Sequence, residues 1–157
     1  MVYPSRASCA CFALHARSDD HPRDAPVSVR LGVVGHFGLA VQDPEASARW
    51  WSKHFDVVEI FRFEGGIAVS NDSVTIALFR GDPEPRTLGH MSFHVADMSG
   101  LRSALAELKA GGVEIEDPND EIGPEAPGSP HMGLWFHDPD GYRWELSVQN
   151  GALTAQR

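Results

Sequence analysis

Two histidines stand at the head of two matching stretches, Gly35-His36-Phe37-Gly38-Leu39-Ala40-Val41-Gln42-Asp43 and Gly89-His90-Met91-Ser92-Phe93-His94-Val95-Ala96-Asp97. Gly, His, Val and Asp recur at the same offsets. In both stretches polar or small residues alternate with large apolar ones, the pattern of a strand with one face on a core. His36, Gly38 and Ala40 share a face opposite Phe37, Leu39 and Val41. His90, Ser92 and His94 share a face opposite Met91, Phe93 and Val95. A third run near the end of the chain sets Arg143, Glu145, Ser147 and Gln149 against Trp144, Leu146 and Val148. If these polar faces line one concavity, His36, His90 and Glu145 converge. Two imidazoles and a carboxylate with open positions suit non-haem Fe(II) first, and also Mn(II), Ni(II) or Zn(II). An ion held that way polarises a chelated substrate or activates water or O₂.

The elements that must hold these residues follow from the same repeat. A strand is predicted over 33–41. Asp43-Pro44-Glu45 then starts a helix, with a capping carboxylate, proline at the first helical position and an acidic first turn. That helix runs to about Phe55, with Trp50 and Trp51 assigned to core or interface. Strands follow over 57–63 and 67–79, the second broken by the turn Ser70-Asn71-Asp72-Ser73. The second unit repeats the order: a strand over 90–95, then a helix from Asp97 with an apolar stripe at Leu101, Leu105 and Leu108, stopped by Gly111-Gly112. A strand start is predicted at 113–115, then a long Pro/Gly/acidic loop over 117–130. A hairpin turning at Asp138-Pro139-Asp140-Gly141 closes the unit. Each unit reads βαβββ, so the fold class is α+β, with modules at about 33–80 and 87–149 inside a domain spanning 30–150.

The 157 residues carry 13 basic and 22 acidic side chains, a net charge of −9, with no Lys/Arg cluster. That excludes a nucleic-acid or anionic-membrane surface, and no apolar run reaches the length of a membrane span. Residues 1–29 read as a disordered extension and 151–157 as a tail. The two cysteines, Cys9 and Cys11, both fall in the extension. A core without cysteine suits a reducing cytoplasm.

The paired Gly-His-x-x-Leu/Phe-x-Val-x-Asp openings, with the closing Asp138-Pro139-Asp140-Gly141-Tyr142-Arg143-Trp144-Glu145-Leu146, resemble the vicinal oxygen chelate superfamily. Its members include glyoxalase I, extradiol dioxygenases, fosfomycin-modifying enzymes and bleomycin-resistance proteins. The resemblance implies two βαβββ modules in an incomplete mixed β-barrel with the helices outside, and a homodimer. It also implies metal ligands on the first and last strands of each module, which places His36, His90 and Glu145 in three of four ligand positions. The fourth falls at Ala77, so the ligand pattern is closer to the dioxygenases and fosfomycin enzymes than to glyoxalase I. Two further departures stand out: Trp135 replaces the tyrosine of the dioxygenase closing motif, and Gly38 replaces a threonine of the fosfomycin enzymes.

The function expected is that of a divalent-metal enzyme acting on a small metabolite chelated through two oxygens, with extradiol-type dioxygenase or lyase chemistry. His94 is the candidate acid/base, and Ser92, His131 and Arg143 are candidate substrate contacts. The alternative is a metal-free protein that binds an antibiotic or metabolite.

Overall fold

The structure, a computed structural model, describes residues 33–117 and 121–149. The predicted extension 1–29 with Cys9 and Cys11, part of the predicted loop and the tail 151–157 lie outside the described residues. The first module contains β1 (Phe37–Val41), α1 (Pro44–His54), β2 (Val58–Phe63), β3 (Gly66–Ser70) and β4 (Thr75–Arg80). A short 3₁₀ turn, Pro85–Thr87, leads into the second module. There follow β5 (Met91–His94), α2 (Met98–Ala110), β6 (Gly123–Pro124), β7 (His131–His137) and β8 (Arg143–Gln149).

Local chemistry accounts for both helices. Asp43 accepts a hydrogen bond from the Glu45 amide at 3.1 Å, ahead of Pro44 in the first turn. Asp97 accepts from the Gly100 amide at 2.9 Å. These carboxylates satisfy amides that have no intrahelical acceptor. The second helix ends at Gly111, and Gly112 follows at φ +85°, where a side chain would be strained.

The strands form two four-stranded sheets, ordered β1-β4-β3-β2 and β5-β8-β7-β6. In each, the first strand runs parallel to the last and the other pairings are antiparallel. The matching orders are the structural form of the sequence repeat. These are the expected mixed sheets of an α+β fold, and no closed barrel is formed by the described strands.

Both sheets turn their apolar faces into one core, where Leu39, Ile76, Leu78, Leu134, Phe136 and Trp144 are buried. The first helix joins the halves. Trp51 meets the Trp144 ring edge-on at 4.8 Å, and Phe55 stacks on Phe136 at 5.6 Å. Such pairs add roughly 0.5–1.5 kcal/mol each beyond their burial.

Two boundaries differ from the sequence reading. The first strand begins at Phe37 rather than 33, and its pairing with β4 starts at Phe37 opposite Ile76. Val33 and Val34 are left exposed. Ile115 makes only an isolated bridge to Phe136, so the strand predicted at 113–115 does not develop. Further along β7, Gly123 and Pro124 pair with Gly133 and Met132.

Candidate metal centre

His90 stands one residue ahead of β5, and Glu145 lies on the neighbouring β8, opposite Ser92 in the register. His90 Nε2 and Glu145 Oε2 are 3.8 Å apart. Donors that share one ion, each about 2.1 Å from it, sit roughly 3–3.5 Å apart at octahedral to tetrahedral angles. The observed spacing is a few tenths of an ångström wider, within the reach of a side-chain rotation.

Glu145 is 3% exposed, and His90 is the ionisable group that faces its carboxylate. Burying a carboxylate is costly, and a bound cation is one way to relieve the cost. Glu145 also depends on a glycine. A Cβ at Gly133 would run into its Oε1 and carboxyl carbon, so only glycine lets the side chain lie across β7. Gly133 escaped the sequence reading, although a lone glycine within a strand pattern is the expected signal of such a close approach.

His36 is exposed and stands ahead of β1 as His90 does ahead of β5. Since the two sheets share one core, their outer faces turn away from each other, and the described residues of one chain hold no group of three His, Cys, Asp or Glu that would bind a metal. His90 and Glu145 are therefore brought together and His36 is not. Gly38 pairs with Ala77 as Ser92 pairs with Glu145, so Ala77 is the counterpart of Glu145.

The other predicted site residues lie on the same outer face of the second sheet. Ser92 Oγ and Ser147 Oγ are 2.8 Å apart, and His94 Nδ1 is 3.2 Å from Ser147 Oγ. His131 presents a buried Nδ1 with no hydrogen-bond partner. Arg143 is already engaged. Its Nη2 donates to Glu116 Oε2 at 2.5 Å, and its guanidinium lies 5.6 Å from the Trp135 ring centre. That pairing lowers the Glu116 pKa and raises that of Arg143.

The closing hairpin also latches the modules together. Asp140 accepts from the Gln42 amide at 2.9 Å and from Ser47 Oγ at 2.6 Å. The Tyr142 hydroxyl donates to the Ala40 carbonyl at 2.9 Å and accepts from the Glu84 amide at 3.2 Å. Asp138, at the base of the turn, accepts from the Tyr142 and Asp140 amides and from Trp144 Nε1. Burial outweighs these three donors and pushes its carboxyl up to about 6. The sequence reading treated this motif as a ligand-bearing hairpin and missed its second task. A cavity of about 810 Å³ lies elsewhere, between Phe37, Trp51, Phe55, Phe93 and Leu146. It touches Ser92 and His94 but none of His36, His90 and Glu145.

Paired βαβββ modules with a His–Glu pair on the second sheet define the class of fold. The sequence profile of the Glyoxalase/Bleomycin resistance protein/Dioxygenase superfamily matches residues 33–146. The chain belongs to that superfamily. Among solved structures it is similar to the fosfomycin resistance protein FosX from Listeria monocytogenes, with TM-score 0.64 and 22% identity over 79% of this chain and 97% of that one. It is also similar to a glyoxalase/bleomycin resistance protein/dioxygenase from Nocardioides, with TM-score 0.64 and 19% identity over 83% and 93% of the two chains. A lactoylglutathione lyase from Agrobacterium tumefaciens gives TM-score 0.60 and 14% identity over 75% and 94%. At these identities the likeness is one of fold. A comparison with curated proteins by sequence found no match. No helix among the described residues is long and apolar enough to cross a membrane.

Proposed function

We propose that the protein is a divalent-metal enzyme acting on a small molecule that presents two oxygens, with His36, His90 and Glu145 as the metal ligands. The observation that carries this reading is the buried carboxylate of Glu145 beside His90 Nε2. Such an ion would supply Lewis-acid polarisation of the chelated oxygens, and with iron it would also open oxidative chemistry. Fe(II) is the preferred ion for two imidazoles and a carboxylate, ahead of Mn(II), Ni(II) and Zn(II). Extradiol-type dioxygenase chemistry fits that ligand set best.

The protein's own groups have separable tasks. His94, held through Nδ1 by Ser147, takes or returns a proton at the substrate. Ser92 orients the substrate through its hydroxyl, and His131 offers its unpaired Nδ1 as a further contact. Arg143 reaches an anionic substrate group only by giving up Glu116. Because the outer faces diverge within one chain, His36 is supplied across a homodimer, from the outer face of one copy to the His90–Glu145 pair of the other. The lack of cysteine beyond Cys11 suits a reducing cytoplasm as the compartment of this chemistry.

Metal content tests the assignment. Chains reconstituted anaerobically with Fe(II) are expected to hold about one ion each, and Glu145→Ala or His36→Ala chains close to none. Mixed dimers of the two variants then test the sharing. One of their two sites regains all three ligands only if His36 comes from the second copy, so metal should return to one ion per mixed dimer. Absence of metal from the wild-type chain under every condition would make the protein a metal-free binder of an antibiotic or metabolite instead.

A further inference from the structure

The 810 Å³ cavity opens beside the ends of both helices, within the range of about 300–1,000 Å³ that small-molecule sites occupy. Phe37, Trp51, Phe55 and Phe93 line it with rings at differing inclinations. Trp51 stands at 84° to Phe93 with centroids 6.2 Å apart, and at 39° to Phe55 with centroids 5.0 Å apart. Phe37 tilts 34° from Phe93. Rings set around one space in this way suit an organic cation, whose charge is drawn to their negative faces.

The charges of the wall point the same way. Its described residues include two carboxylates, Asp56 and Glu107, and no lysine or arginine. Asn71 Nδ2 donates to Asp56 Oδ1 at 2.7 Å and holds that carboxylate at the rim. His54, also in the wall, has its pKa lowered chiefly by burial and is neutral at pH 7. The cavity adjoins the C-terminal turns of both helices, at His54 and Glu107, where the helix dipoles place partial negative charge. The lysines of those turns are engaged elsewhere. Lys53 Nζ donates to the Gly111 carbonyl at 3.2 Å, and Lys109 pairs with Glu121.

We infer that this cavity is a second ligand site, separate from the metal centre, for a hydrophobic organic cation. The rings and apolar walls take up the ligand's body, and Asp56 and Glu107 face its charge. An anion of the same shape would meet two like charges there. The site needs no metal, and it leaves the outer faces of both sheets free for the second copy of the chain.

Tetraphenylphosphonium and tetraphenylborate test the charge, because they share size and shape and differ in sign. Calorimetric titration of the metal-free protein should find the phosphonium bound at least tenfold more tightly than the borate. In Asp56→Asn/Glu107→Gln, two changes at exposed positions, that ratio should fall toward one through weaker phosphonium binding. Glu64→Gln/Glu114→Gln removes the same charge from the surface outside the cavity and should leave the ratio unchanged. Equal affinity for the two probes, tighter borate binding, or binding of neither by the wild-type chain would overturn the proposal. A ratio unaltered by the first double variant would place the phosphonium elsewhere and overturn it as well. An equal fall in both double variants would assign the preference to the net charge of −9 and overturn the site. Because every titration is made without metal, each of these results leaves the metal-centre reading untouched.

Discussion

The two sheets have the same strand order and the same register, yet their outer faces are chemical opposites. Where the second sheet sets Ser92 opposite Glu145, the first sets Gly38 opposite Ala77. Where the second sets His94 opposite Ser147, the first sets Ala40 opposite Phe79. Gly66 and Gly133 are counterparts too, facing Phe79 and Ser147 across the hairpin in each module. One glycine makes room for a phenyl ring and the other for a carboxylate. A backbone laid down twice holds one arrangement, and the side chains then decide which copy holds charge and which holds apolar surface.

The hairpin turns differ in the same sense, and the largest expected effect tests them. Asn71 ties the first turn by accepting from the Ser73 and Val74 amides, and it is neutral. Asp138 ties the second and is ionisable, with its pKa raised to about 6 from the usual 3.8. A raised folded-state value means the folded chain holds the proton more tightly, so the stabilisation is complete below about pH 4 and is lost as pH rises to about 6. At most this amounts to about 3 kcal/mol. Relative to Asp138→Asn, the wild-type chain is therefore expected to lose stability across that window. Urea midpoints at pH 4, 5, 6 and 7 would measure it, and a constant difference between the two chains would rule it out.

Exchanging the paired glycines for alanine would break the contrast between the faces. Gly133→Ala meets only the Glu145 side chain, so the protein should fold and bind metal ten- to a hundredfold more weakly. Gly66→Ala presses on the Leu78 carbonyl as well as the Phe63 ring, so it should cost roughly 1–3 kcal/mol of stability. Its effect on metal affinity should be minor. Metal titration and thermal melts of both variants make the comparison, and equal metal loss from both would show that the glycines are not specialised.

The smallest effect concerns the latch between the halves. Tyr142→Phe removes the hydroxyl that bridges the Ala40 carbonyl and the Glu84 amide. A loss of about 1 kcal/mol is expected, the ordinary net value of a protein hydrogen bond. Hydrogen exchange at the Glu84 amide should rise in the variant. Unchanged exchange there would mean that the hydroxyl does not hold the two modules.

The repeat, the strand alternation and both helix caps were legible in the sequence because each depends on neighbours a few residues away. Asp43 and Asp97 cap the helices that the sequence assigned to them, and Ala77 is the register counterpart of Glu145. The strand expected at 113–115 is reduced to the Ile115–Phe136 bridge and the Glu116 amide's bond to the Trp135 carbonyl, an extent set by distant β7 rather than by its own residues. The latch from Asp140 to Ser47 and from Tyr142 to Ala40 was likewise invisible, because it joins residues of different modules. Sequence by itself determined two matching units and the residue types available to each. Only the tertiary structure decided that His90 meets Glu145 while His36 faces elsewhere, because packing two apolar faces into one core forces the two outer faces apart.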